Sequence, residues 1–302
     1  MPANPITVED LGRLEAEVAA ALRRKDSSDL TVIGFGEISV GLGFPAENPT
    51  HVCKRTPPLT PTQFDRYRDL VDRYVTELRE AGLSVVDTEV MAVPRDDQLI
   101  AYLVQPLLPS ESLGHRVLAE AEPDADHPFL VALGETLALV SSTRSIDAQV
   151  TNWSWDGGRP TLLDVGTPFL WDRTGELQFD MTPYLPMIPA PMRRTAKREL
   201  TTVVERWRRP RGVAVDVVAN LYREGLERWV PPTVTAFNTI LDATEAISAD
   251  EGRAIYAEDL KTFPRLARLK RVERTWRTVV RRSRYDFFIQ STYATSPSGP
   301  TG

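Results

Sequence analysis

Cysteine is nearly missing from this chain of 302 residues: Cys53 stands alone, which excludes an internal disulfide and any cysteine-based zinc site. Histidine is scarce as well, and His51, His115 and His127 show no metal-ligand spacing. Lysine occurs only five times, so the positive charge is carried overwhelmingly by arginine. No window approaches the ~18 consecutive apolar residues of a membrane span, and the first residues lack the apolar core of a signal peptide. These absences lead us to expect a soluble, cytoplasmic protein. A net charge of −6 gives no general attraction for nucleic acid. What remains, 42% hydrophobic and 26% charged residues, is enough for one large or two ordinary domains with a proper core.

Val8 to Arg24 sets Leu11, Leu14, Val18 and Leu22 on one helical face. From Leu30 the pattern turns to strands, with two apolar runs around Gly34-Phe35-Gly36-Glu37. The short run His51–Lys54 follows. Thr62 to Ala81 predicts a long helix, with Phe64, Tyr67, Val71, Tyr74, Val75 and Leu78 on its stripe and Gly82 as its stop. Leu83–Val90 and Gln98–Gln105 read as strands joined by a polar turn. Helices are then expected over Ser110–Glu120, Pro128–Ser141, Arg193–Arg206, Ala214–Arg228, Val234–Ile247 and Glu258–Phe288.

The segment Ser145–Gly166 is the most informative one. Trp153–Trp155 and Thr161–Leu163 flank Asp156-Gly157-Gly158, a strong tight-turn signal, so Asn152 and Asp164 are expected at the open end of one hairpin. With Asp147 five residues before Asn152, three polar side chains converge on one place.

Asp, Asn five residues later, a hairpin and Asp-Val-Gly resemble the catalytic loop and magnesium motif of protein kinases and aminoglycoside phosphotransferases. The resemblance runs over roughly residues 30 to 170 and implies an α+β, two-lobed protein-kinase-like fold. Residues 1–104 would form an N-terminal helix and a small antiparallel-sheet lobe with one helix. Residues 105–290 would form a larger, mostly helical lobe, and 291–302 a disordered tail. It further implies ATP and Mg²⁺ as cofactors and a hydroxyl-bearing small molecule or modified peptide as acceptor.

In that resemblance Asp147 handles the hydroxyl proton, and Asn152 and Asp164 hold Mg²⁺. Lys54 grips the nucleotide phosphates, and Gly34, Gly36, Glu37 and Ser39 form the loop covering them. Glu77 is the helix partner of Lys54, and Gln105 lies at the hinge that meets adenine. The sequence departs from the family at Ser145 and Ile146, where a histidine and a second residue usually precede the aspartate, and at Ser39, where a third glycine is usual. A catalytically silent module of the same fold, binding a nucleotide or a partner, is the alternative. The whole chain is also similar to a bacterial kinase-like family of about this length.

From Arg265 to Arg284 nine basic residues crowd the final helical pattern. They read as a solvated face whose arginines pair with acidic groups of the same chain. The sharper alternative is a docking surface for an acidic partner, an anionic substrate or a membrane face.

Overall fold

The computed structural model describes residues 5–35 and 39–289. Gly36 and Glu37, expected in the phosphate-covering loop, lie outside the described residues. The chain opens with helix α1 (Val8–Arg24), started by a reciprocal capping box between Thr7 and Asp10 and ended by Lys25 in the left-handed region. Strands β1 (Val32–Phe35), β2 (Val40–Phe44) and β3 (His51–Leu59) follow, then helix α2 (Pro61–Glu80). A Thr60–Gln63 capping box and Pro61 in the first turn fix the start of α2. Next come β4 (Ser84–Val85), β5 (Glu89–Arg95) and β6 (Gln98–Pro106).

Five strands form one antiparallel sheet in the order β1-β2-β3-β6-β5. Side chains of a strand alternate between faces, and here the alternation sorts two cores. Ile100, Tyr102 and Val104 of β6 join Leu11, Leu14 and Val18 of α1, whereas Ala101 and Leu103 join Val71, Tyr74 and Leu78 of α2. The sheet is therefore covered by a helix on each face. The same alternation on β3 sends Cys53 toward α1 and Lys54 the other way.

Two readings of this region need correction. The run Leu83–Val90 is not one strand. Ser84–Val85 leaves the main sheet to pair in parallel with a later hairpin strand, and β5 starts only at Glu89. The run His51–Lys54 is only the start of β3, which continues through Pro57 and Pro58 to Leu59, because the ladder resumes at Pro58↔Ile100 after an irregularity beyond Arg55.

The rest is mainly helical. Helices α3 (Gly114–Glu120) and α4 (Pro128–Glu135) precede the hairpin β7 (Trp153–Trp155) and β8 (Pro160–Leu162). The three strands β4, β8 and β7 make the second sheet. Helices α5 (Arg193–Arg206), α6 (Pro210–Arg223), α7 (Val230–Asn238) and α8 (Ala249–Thr275) follow. The expected helix Glu258–Phe288 in fact begins nine residues earlier, behind a Ser248–Glu251 capping box. It ends in one π turn, Trp276–Val280. Both α2 and the apolar α6 contribute to one continuous core. The architecture is thus α+β, an antiparallel sheet with a helical part.

A buried charge network locks the α1 face. Arg55 donates to both carboxylate oxygens of Glu15 at 2.7 and 2.9 Å, and Tyr102 Oη donates to Glu15 at 2.7 Å. Arg55 also donates to the carbonyl of Asp286, and Arg95 pairs with the Asp286 carboxylate at 2.7 Å. Side chains from α1, β3, β6 and β5 and from the segment after α8 therefore meet at one point.

Candidate functional site

The segments before Asp147 and after Gly166 are tied to each other first. Ser145 N–H donates to Phe169 O, Trp171 N–H donates to Thr143 O, and Arg144 bridges Leu170. At the hairpin's open end Leu163 N–H donates to Asn152 O at 2.8 Å, so Asn152 sits beside the residue preceding Asp164. The expected juxtaposition around the hairpin holds.

Lys54 reaches this place from β3. Its Nζ donates to Leu163 O at 2.8 Å and pairs with Asp164 Oδ1 at 3.2 Å, across 110 residues of sequence. Burial works against the Asp164 charge, but the Lys54 ammonium and the Gly166 N–H, which donates to Oδ1, hold its carboxyl below the usual range. Asp147 behaves in the opposite way. Desolvation first, then the neighbouring charges of Asp216 and Asp164, push its carboxyl up to about 7. Only Gln149 counters, through its backbone N–H at 3.3 Å and its side-chain amide at 3.0 Å. Two carboxylates in one site are thus driven apart in acidity, as sites with separate charge-holding and proton-handling groups require.

Asn152 ends a short 3₁₀ turn, Val150–Asn152, and its Nδ2 donates to Asp147 O at 3.3 Å. Asn152 Oδ1 and Asp164 Oδ2 accept no hydrogen bond among the described residues. Two hard oxygen donors with the charge of one carboxylate suit Mg²⁺, which takes one or two protein ligands plus phosphate oxygens and water. Among the described residues no group of three or more His, Cys, Asp or Glu encloses a metal by itself.

Two expected roles are revised. Glu77 is not the partner of Lys54: its carboxylate lies 3.8 Å from Arg73 on the outer face of α2, while the lysine is taken by Asp164. Gln105 does not offer its side chain to a ligand. It is buried, and its Nε2 donates to Thr88 Oγ1 and to Leu163 O, both at 2.9 Å. Pro106 has no N–H, and the next amide, Leu107, donates to Thr50 O at 2.9 Å. Gly34 pairs with Gly41 across the β1–β2 ladder, and Ser39 follows directly on the undescribed residues.

What α2 brings to the site is a pair of hydroxyls. Tyr67 Oη donates to Gly166 O and Tyr74 Oη donates to Ser145 O, each at 2.8 Å. Burial, reinforced by nearby negative groups, raises both phenols well above their usual value, so they remain protonated donors. They anchor the two motif segments from one helix stripe, seven residues apart. Both were legible as apolar-stripe residues. The signal for more was that a phenol at the centre of a buried stripe must find a hydrogen-bond partner. The Ser145 hydroxyl, where the resembled family has histidine, is buried and makes no hydrogen bond.

Two cavities are present among the described residues. A cavity of about 790 Å³ is bounded by α5, α6 and α8, with Trp207, Arg209, Arg211 and Asp216 in its wall. Another, of about 420 Å³, lies behind Pro106 and is lined by Val86, Asp87, Ser154 and Asp156. Neither is lined by Lys54, Asp147 or Asp164.

The model of a family of unknown function, DUF6206, matches residues 13–284. Comparison with curated proteins gives no match.

Proposed function

We propose a function for a chain that belongs to the DUF6206 family, a family of unknown function: it is a phosphotransferase of kinase-like, two-lobed architecture that moves the γ-phosphoryl of ATP to a hydroxyl. The observation that carries this reading is the Lys54–Asp164 pair, which joins the β3 lysine to the Asp-Val-Gly strand end beside Asp147. The supporting chemistry is local. Asp147, with its carboxyl near neutrality, is matched to receive the acceptor hydroxyl's proton as the oxygen attacks phosphorus and ADP departs. Lys54 supplies a point positive charge for the phosphates. Asn152 and Asp164 would hold Mg²⁺, which when bound offsets phosphate charge. Tyr67 and Tyr74 keep the two segments in register, and such preorganisation is most of what this class of enzyme contributes.

Calorimetry with Mg²⁺·ATP tests the reading. Binding is expected for the native chain and is lost in Asp164→Ala. Asp147→Asn keeps the binding and abolishes hydrolysis of ATP. Absence of nucleotide binding in the native chain refutes it.

A second reading is a catalytically silent module of the same architecture that binds nucleotide or a partner. It is favoured by Ser145, whose buried hydroxyl makes no hydrogen bond where the resembled motif has a histidine, and by the α2 glutamate turned outward to Arg73. It predicts nucleotide binding with no turnover in either form.

A further inference from the structure

Large hydrophobic side chains are exposed at few places among the described residues, and four of them fall within nine consecutive positions at the end of α8 and its π turn. Val272 is 57% exposed, Trp276 50%, Val279 66% and Val280 57%. These residues recur at helical spacing in the sequence, and the structure turns them outward. Arg265, Arg268, Val272, Trp276 and Val279 recur at three- and four-residue spacings on one face, basic at its start and apolar at its end. Arg271, Arg281 and Arg282 are exposed beside it.

Acidic neighbours do not explain these arginines. Between Arg265 and Arg284 there are nine basic residues and one acidic residue, Glu273. That carboxylate is buried and held by Arg193 and Arg277, while Arg284 pairs with Asp96. A strongly cationic, apolar-tipped surface therefore stands on a chain of net charge −6.

We propose that this end of α8 docks the protein on an anionic lipid surface. Trp276, Val279 and Val280 enter the boundary between headgroups and acyl chains, and Arg268, Arg271, Arg281 and Arg282 bind lipid phosphates. Tryptophan suits headgroup depth, and guanidinium groups fork onto phosphate oxygens. Charge complementarity selects this occupant. A second copy packed about a two-fold axis would set one arginine cluster against another, and a nucleic acid backbone would leave the valines without use. The contact is peripheral, since no helix among the described residues is long and apolar enough to cross a membrane. It does not depend on the phosphotransferase reading.

Co-sedimentation of the full chain with vesicles tests this. The native chain is expected to pellet with an equal mixture of phosphatidylcholine and phosphatidylserine, to stay in solution with phosphatidylcholine alone, and to be released by salt. Each arginine near such a surface contributes roughly fivefold in partitioning, so Arg281→Glu with Arg282→Glu should lower it more than about tenfold. Trp276→Ser, which leaves the charge unchanged, should also lower it. All three side chains are exposed, and unchanged circular dichroism verifies the fold of each variant. No pelleting of the native chain, or equal pelleting of native and variants, overturns the proposal. So does a dimer in sedimentation equilibrium that Trp276→Ser dissociates, or capture by a polyglutamate peptide without capture by vesicles.

Discussion

Glu15 and Arg55 are the two charged residues whose loss the fold should feel most. Their side chains are 7% and 3% exposed, so Glu15→Leu leaves the Arg55 guanidinium buried without its carboxylate. A broken buried pair of this kind costs about 3–5 kcal/mol, which a urea titration would show as a lower midpoint at unchanged slope. Replacing both members by apolar residues should recover most of that loss. The pair also fixes a direction of pH dependence. Burial opposes the Glu15 charge, but hydrogen bonds and charge from Arg55, then Tyr102 and Arg95, hold its carboxyl below the usual value. Its contribution is therefore complete above the ordinary glutamate range and is lost as pH falls through the lowered value. His115 adds in the same sense from higher pH. Burial, and secondarily Arg116, bring it down to about 4, so the unfolded chain takes up its proton first, between pH ~6.5 and 4. Asp147, raised to about 7, takes up its proton in the folded chain over the same range and opposes this loss, so the His115 effect is read by difference: relative to the native chain, the melting temperature of His115→Gln should rise as pH drops from ~6.5 to 4. Tyr74→Phe is subtler. It strands the Ser145 carbonyl and should cost about 1–3 kcal/mol. If Tyr74 positions Asp147, kcat for ATP turnover drops while KM for ATP stays near the native value.

Helix α3 shows how closely an element can be set against the site. A Cβ added to Gly114 would meet Val150 O at 2.5 Å and the Phe129 ring at 2.6 Å. Val150 starts the 3₁₀ turn that carries Asn152. Gly114→Ala should then cost about 1–3 kcal/mol through overpacking and weaken Mg²⁺·ATP binding. Calorimetry beside a melting curve measures both. The elements themselves were largely readable, because caps and periodicity are local facts. Val8–Arg24 matches its expected span, and α2 begins and ends one residue early. The hairpin and the place of Asn152 and Asp164 at its base were readable from Asp156-Gly157-Gly158. Less legible were matters settled by distant partners. Which acidic group meets Lys54 is not set by α2 alone: of Asp69, Asp72, Glu77 and Glu80, all off its stripe, helical angle favoured Glu77, and that angle carries no information about the strand-end Asp164 that the lysine meets. Ser84–Val85 and the start of Glu89–Arg95 lie within one strand-like stretch, Leu83–Val90, but belong to different sheets. Val272, Trp276, Val279 and Val280 have helical spacing whether that face is covered or bare.

At the scale of the molecule, the α1 face of the sheet is closed by both ends of the described chain. Phe288 packs against the α1-side core, Tyr285 and Phe287 are buried in the other core, and Asp286 binds Arg55 through its carbonyl and Arg95 through its carboxylate. Phe287→Ala should destabilise by about 3–5 kcal/mol, which a lowered urea midpoint would show. The same knot bears on how the protein is made. A chain still emerging from the ribosome holds α1 and all five strands of the main sheet long before residue 286 has been synthesised. Arg55 can by then have found Glu15, but the contacts of Arg55 and Arg95 to Asp286 cannot exist. The N-terminal sheet therefore reaches its final stability only once residue 286 has emerged and packed against it.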